Sequence, residues 1–344
     1  MVNPILLRAH RGPLVESTHR GALAIRRERR TLFALGDVAS PVFLRSSAKP
    51  FQAMEFLLSG AADAFGVPDG ELAVACASHG AEEVHTRAVL SMLARGGLDP
   101  SALRCGAHPP ACTQAAVALA RSGEKPTVLH NNCSGKHAAM VLTARHLRLP
   151  VDSYLDPEHP VQVANRRNLA LFAGVPPESI LLGTDGCSAP NFAVSLEAQA
   201  DAFARLATPD GNLPPAAAAA ARRIASAMMA HPRMVAWEGA GDAALMAAAP
   251  GRVLSKLGAE GIQCLGLPGT GAGIALKADD GGPRLRIPLT VAVLLGTGVF
   301  TGEEAAAVGR DADLVLRNHR GLDVGSLEVA LPGDLPGLGP PRRE

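Results

Sequence analysis

The chain has 344 residues, enough to bury one large core or two moderate ones, and with only 3% aromatic residues that core must be aliphatic. The formal net charge is +1, and no basic run carries interleaved aromatics, so nucleic acid and anionic membranes are excluded as evident partners. That leaves a small molecule as the expected partner. The six cysteines are scattered through the chain, which is not the density of a disulfide scaffold.

Taken in order, the chain opens on Met1-Val2-Asn3-Pro4-Ile5-Leu6-Leu7-Arg8, an apolar stretch too short for a signal peptide. A cytoplasmic location is the expectation. Short β-like runs follow at Leu14 to Val15, Ala22 to Ile25, Thr31 to Leu35 and Val42 to Leu44, separated by charged or glycine-containing turns, and they predict an antiparallel meander. Next comes Arg45-Ser46-Ser47-Ala48-Lys49-Pro50-Phe51-Gln52. Phe51, Met54, Leu57 and Leu58 recur at helical spacing, and Pro50 fits only within a first turn, so Ser46 and Lys49 stand at a helix entrance. Three residues apart, they can approach hydrogen-bond distance as a serine nucleophile and its base, provided burial or a nearby cation keeps the lysine neutral. Arg45 and Lys136 are the candidate cations. Alone, the pattern reads better as a capping serine and a solvated lysine. Further polar clusters change that balance.

The run Leu72-Ala73-Val74-Ala75-Cys76-Ala77 predicts a buried strand that breaks into Ser78-His79-Gly80 before a helix over Glu82 to Arg95. Ser78 is either a second pocket hydroxyl or that helix's cap. The cluster His130-Asn131-Asn132-Cys133-Ser134-Gly135-Lys136-His137 is too polar for a core. A thiol three residues before a lysine, at the start of a helix over His137 to Leu147, invites a low thiol pKa. After a helix over Val161 to Phe172, Gly183-Thr184-Asp185-Gly186-Cys187-Ser188 again sets Asp, Cys and Ser before a helix, expected over Pro190 to Leu206. Cys133 and Cys187 with nearby histidines and Asp185 suit zinc by ligand type, but without a Cys-x-x-Cys the spacing favours two unligated thiols. Cys76 and Cys264 lie in strand-like runs and read as structural.

A helix over Pro215 to Met229 follows, and then Val253 to Gly261 supplies Lys256, by default a surface lysine. Ile262 to Leu267 and Gly273 to Lys277 predict a hairpin, and an apolar helix begins near Leu289. The stretch from Ile287 to Gly302, broken by Pro288, Gly296 and Gly298, falls short of a membrane span. Strands, then helices, then strands and a helix predict an α+β fold whose first and last strands share a sheet. Residues 1–330 are expected to form a single catalytic unit, as one body or as two lobes of one fold, and the Pro/Gly-rich segment 331–344 is expected to be a mobile, dispensable tail.

Together these clusters resemble the rhizobial-type L-asparaginase II family. Arg45 to Pro50, Cys76 to Gly80, His130 to His137, Asp185 to Pro190 and Lys256 to Gly261 occur in that family's order, and Glu16-Ser17-Thr18-His19-Arg20-Gly21 looks like its opening motif. The resemblance spans about residue 8 to about 325 and implies a serine β-lactamase/glutaminase-like fold, a mixed or antiparallel sheet packed with helices. It implies two Ser-Lys tandems, Ser46 with Lys49 and Ser78 with Lys256, and zinc held by Cys133, Lys136 and Cys187 with Asp185 close by. It also implies a homodimer. The lysine ligand replaces the histidines that the residues alone had suggested. Ala139 and Trp237 stand where the family pattern has glycine, and Trp237 is expected to reshape a loop near the pocket.

The expected reaction is hydrolysis of L-asparagine through a serine ester, with Ser46 attacking, Lys49 accepting its proton, and Ser78 and Lys256 relaying protons. Arg45 and Asp185 are the candidates for the substrate's carboxylate and ammonium. One alternative is a β-lactamase-like or peptidase-like acyl hydrolase, weakened by the absence of Ser-Asp-Asn and Lys-Thr-Gly. The other is a non-enzymatic zinc or thiol sensor working through Cys133 and Cys187.

Overall fold

A computed structural model describes residues 2–209, 211–309, 312–331 and 333–338. Eleven strands are described: β1 (Ile5–Arg11), β2 (Leu14–Arg27), β3 (Arg30–Leu35), β4 (Pro41–Phe43), β5 (Leu181–Thr184), β6 (Pro190–Ser195), β7 (Leu254–Gly258), β8 (Ile262–Leu267), β9 (Ala272–Ala278), β10 (Val315–Arg317) and β11 (Asp323–Val329). The large sheet runs β10-β11-β1-β2-β9-β8-β7, with β3 also paired to β2, and every pairing in it is antiparallel. The first and last strands do share this sheet, as expected, and the fold is α+β. The runs at Leu14 and Ala22 are two ends of one strand. The first half of β2 pairs with β1, and its second half lies between β3 and β9.

Period-two alternation in these strands builds two cores on the two faces of the sheet. Ala22, Ala24, Cys264 and Ala275 belong to one core, whereas Leu23, Ile25, Leu265, Ile274 and Leu276 belong to the other. Small residues line the first face because the helix Leu196–Ala207 lies directly on it. A Cβ at Gly273 would meet the Ala200 carbonyl oxygen at 1.9 Å, so only glycine fits there. The bulky aliphatic face packs instead against the helix Arg286–Gly296. Most of the remaining helices gather around the first core and form a helical lobe beside the sheet.

Two segments differ from the sequence reading. Leu72 to Ala77 is no strand: residues 69–75 form the helix Asp69–Ala75, and Cys76 caps its C-terminal end. An unbroken apolar run suits a helix buried all round as well as a central strand, and periodicity does not separate them. Residues 190–195 are β6, and the helix expected from Pro190 begins at Leu196, with the Ser195 hydroxyl capping it by accepting from the Ala198 N–H. Strand β6 lies at the centre of a separate sheet, β4-β6-β5, so β4 does not join the meander. The tail expectation also needs correction in its described part. Leu335 packs against the second core, and Leu338 is buried there with its N–H donating to the Thr297 carbonyl. Residue 332 and residues 339–344 lie outside the described residues.

Candidate active site

The three-stranded sheet brings the first two parts of the site together. β4 leads into Arg45 and Ser46, β5 leads into Asp185, and both strands pair with β6. Residues 140 positions apart thereby form an ion pair, Arg45 Nε to Asp185 Oδ1 at 2.8 Å. Asp185 Oδ1 also accepts from the Gly186 N–H at 2.9 Å. Burial opposes the Asp185 charge, but Lys136 and Arg45 outweigh it and hold the carboxyl below its usual range. Arg45 has φ +53° and Ser188 φ +68°, left-handed conformations that cost a non-glycine residue energy and concentrate at functional sites.

Ser46 lies half-buried in the tight turn Arg45–Ala48, and Lys49 follows at the head of the short helix Lys49–Gln52, with Pro50 in its first turn. The anticipated Ser46 to Lys49 hydrogen bond is not made among the described residues. Lys49 Nζ donates instead to the Ala77 carbonyl at 2.6 Å, the Ser78 hydroxyl at 3.0 Å and the Asn132 carbonyl at 3.3 Å. Lys256 is no surface lysine. It shares a face of β7 with buried Leu254, is itself fully buried, and its Nζ donates to the Ser78 hydroxyl at 3.0 Å. Ser78 sits in the turn after the helix Asp69–Ala75, where its N–H donates to the Val235 carbonyl, and it caps no helix. One serine thus bridges both lysines.

Beside this unit lies a cleft of about 220 Å³, whose lining includes Arg45, Ser46, His108, Asn132, Asp185 and Cys187. His108 was not anticipated. Its Nδ1 donates to the Pro109 carbonyl at 2.6 Å and its Nε2 accepts from the Asn132 N–H at 3.0 Å, which fixes the loop that also positions Lys49. Asp242 was missed too: fully buried, it lies 3.5 Å from Lys256 Nζ. The only signal for it is a lone acid in the otherwise apolar run Gly241-Asp242-Ala243-Ala244-Leu245-Met246. Trp237 is absent from the cleft wall. It packs over Gly80, where an added Cβ would come within 2.9 Å of the Trp237 Cβ.

Donor atoms of Cys133, Cys187 and Asp185 lie within 4.8 Å of one another, and Lys136 Nζ is 3.1 Å from Cys187 Sγ. Two sulfurs, an amine and a carboxylate gathered in so small a buried volume fit zinc by donor type. None of His79, His130 and His137 belongs to this cluster among the described residues. His137 Nδ1 is engaged by Tyr154 at 2.6 Å, and His79 by Ser134 at 2.9 Å. The hydrogen bond from Cys187 holds the Cys133 thiol well below its ordinary pKa, and Lys49 and Lys136 add to this against the cost of burial. The hydrogen bond to Cys133, together with burial, moves the Cys187 thiol up. Burial opposes the Lys136 charge, but Cys187, Cys133 and Asp185 outweigh it and raise its pKa. Metal binding at this lysine would displace its proton.

The family described as L-asparaginase II matches residues 7–329, nearly the whole chain. The chain belongs to the L-asparaginase II family. No curated protein matches its sequence significantly. Among solved structures it is similar to Mglu, at 16% identity and TM-score 0.42, over 81% of this chain and 66% of Mglu. A β-lactamase (Mb2281c) from Mycobacterium bovis matches at 13% identity and TM-score 0.41, over 80% of this chain and 94% of that one. A probable glutaminase from Bacillus subtilis matches at 13% identity and TM-score 0.34, over 76% of each chain. The chain therefore spans slightly under two thirds of the length of Mglu.

Proposed function

We infer that this L-asparaginase II family member is an amidohydrolase that splits L-asparagine into L-aspartate and ammonia through a serine ester. The observation carrying this reading is the Ser78 hydroxyl held at 3.0 Å by both Lys49 and Lys256, beside a cleft walled by Ser46 and the Arg45–Asp185 pair. Ser46 is the member of the group that reaches the cleft. Its oxygen attacks the side-chain amide carbon, its proton passes to the Lys49–Ser78–Lys256 unit, and that unit protonates the departing ammonia. Water then cleaves the ester, giving a proton back to the unit and restoring the serine. Donors aimed at the tetrahedral oxyanion lower the barrier, each typically contributing about 3–4 kcal/mol.

Arg45 and Asp185 offer opposite charges to the carboxylate and ammonium of a free amino acid, which favours such a substrate over a peptide or a lactam. Cys133, Lys136 and Cys187, with Asp185, would hold zinc. Bound there, zinc supplies charge that anchors Asp185 and the two cysteine loops, and no step is assigned to it. A second reading exchanges the serines: Ser78 already has both bases within hydrogen-bond distance, and Ser46 then guides the substrate. Ammonia release from L-asparagine and from L-glutamine, with and without chelator, tests the function. Release from neither amide, in folded and zinc-loaded protein, sinks it, and turnover of nitrocefin instead points to the lactam-cleaving alternative.

A further inference from the structure

Lys49 Nζ hangs between two turns. It donates to the Ala77 carbonyl and the Ser78 hydroxyl on one side and to the Asn132 carbonyl on the other. The distance from Lys49 to Ser78 therefore depends on how the turn 77–81 is set against the loop 129–134. His79 joins the two across 55 positions of sequence. Its side chain is fully buried, and its Nε2 lies 2.9 Å from Ser134 Oγ, at the start of the helix Ser134–His146. Its Nδ1 accepts from the Ala81 N–H at 3.1 Å, which assigns the ring proton to Nε2. Nε2–H then donates to Ser134 Oγ, and the Ser134 hydroxyl donates in turn to the Leu129 carbonyl at 3.1 Å.

The two ends of the ring do different work. The Nδ1 end stays within its own turn, where it holds the N–H of Ala81, a non-glycine residue at φ +61°. Other contacts back that turn as well. The Ser78 N–H donates to the Val235 carbonyl at 2.9 Å, and the Cys112 N–H donates to the Gly80 carbonyl at 3.1 Å. An added Cβ at Gly80 would lie 2.7 Å from the Cys112 Cβ and 2.9 Å from the Trp237 Cβ, so the backbone there is tightly enclosed. The His85 ring stacks on that of His79 with centroids 5.2 Å apart, and its own Nε2 donates to the Arg233 carbonyl at 2.7 Å. None of these contacts reaches the loop 129–134. The Nε2 end of His79 does.

We propose that His79 is a positioning residue of the proton-transfer unit: its Nε2–H, donated to Ser134, ties the Ser78 turn to the loop of Asn132 and so holds Ser78 Oγ within reach of Lys49. The proposal deepens the serine hydrolase reading and rests on it. No proton passes through the ring. It acts by distance alone, and the tolerance is narrow, because a misplacement of about 1 Å can cost about 100-fold in rate.

Two substitutions separate the ends of the ring. His79→Asn keeps an acceptor where Nδ1 stands and loses the reach to Ser134, whereas His79→Gln places an amide N–H near the Nε2 position and loses the acceptor for Ala81. In folded full-length proteins at equal zinc content, His79→Asn should lower kcat for asparagine by about 10–100-fold. KM should stay within about twofold, since Arg45 and Asp185 still hold the substrate. His79→Gln should recover most of the rate. Ser134→Ala should match His79→Asn, and combining the two should cost little more than either alone. A ring that serves only its own turn gives the opposite order, with His79→Gln impaired and His79→Asn near wild type, and overturns the proposal. A proton on Nδ1 in 15N spectra of the wild type, with the His79 signals assigned by their loss in His79→Asn, overturns it too. Should His79→Asn fail to fold, Ser134→Ala and the tautomer decide. A wild type that releases ammonia from neither asparagine nor glutamine overturns the hydrolase reading and this proposal together, whereas an active wild type with an equally active His79→Asn overturns this proposal alone.

Discussion

Ser46 and Ser78 divide the requirements of a nucleophile between them. Ser46 is half-buried and lines the cleft, but it makes no hydrogen bond to a lysine among the described residues; Ser78 is 4% exposed and touches two. Both Ser46→Ala and Ser78→Ala should lower kcat by about 100-fold or more while leaving the thermal midpoint near wild type, because a proton-transfer unit fails as a whole. Rapid acid quench with asparagine, followed by peptide mass mapping, should place the aspartyl adduct on the Ser46 peptide. An adduct on the Ser78 peptide reverses the roles. For the cysteines, metal analysis should find about one zinc per chain, and Cys133→Ser or Cys187→Ser should each cut it steeply. Both thiols must be ionised to bind metal, so zinc content should fall as the pH drops. A protein that is fully active without zinc would leave two thiols beside a hydrolase pocket.

At the scale of elements, the site depends on how closely the helix Ser134–His146 crosses the helix Asp69–Ala75. A Cβ at Gly135 would meet the Val74 carbonyl oxygen at 2.2 Å, and backbone gives way less easily than a side chain. That crossing sets Lys136 at Cys187 and brings the Asn132 carbonyl to Lys49. Gly135→Ala should therefore destabilise the fold by about 1–3 kcal/mol, read from the urea midpoint, and reduce zinc content together with it. A substitution that lowers stability and spares metal would detach the crossing from the site. Element types were legible where periodicity was strong: the helices at Glu83–Arg95, Pro160–Ala173 and Pro215–Ala230 and the hairpin of β8 and β9 lie close to where the pattern puts them. The pattern failed at residues 72–77 and 190–195, both deeply buried, where neighbours on every side remove the polar face that reveals a period.

For the molecule as a whole, the sheet separates two cores and the chain's last described turn closes the second. Leu335 lies against Gly296, where an added Cβ would meet its side chain at 2.8 Å, and Leu338 is buried with its N–H on Thr297. Ending the chain at residue 331 should lower the thermal midpoint by several degrees, since it uncovers the helix Arg286–Gly296, whereas ending it after Leu338 should leave the midpoint unchanged. Equal midpoints for the two truncations would restore the reading of a dispensable tail. Because the second core faces away from the lysines, the shorter chain should keep the pH profile of the full one.

The sequence by itself determined the chemistry that was available. Ser46, Lys49, Ser78, Cys133, Lys136, Asp185 and Cys187 stand out because polar residues interrupt apolar runs at turns, and the family motifs repeat that order. Their partnerships belong to the tertiary structure. Lys49 and Lys256 reach Ser78 across 29 and 178 positions, and Asp242 was invisible as a lone acid in an alanine-rich helix. A side chain's partners and burial depend on packing between elements distant in sequence. Only the folded chain, with β7 laid beside the turn after Cys76, turned a default surface lysine into a buried one held between a serine and a carboxylate.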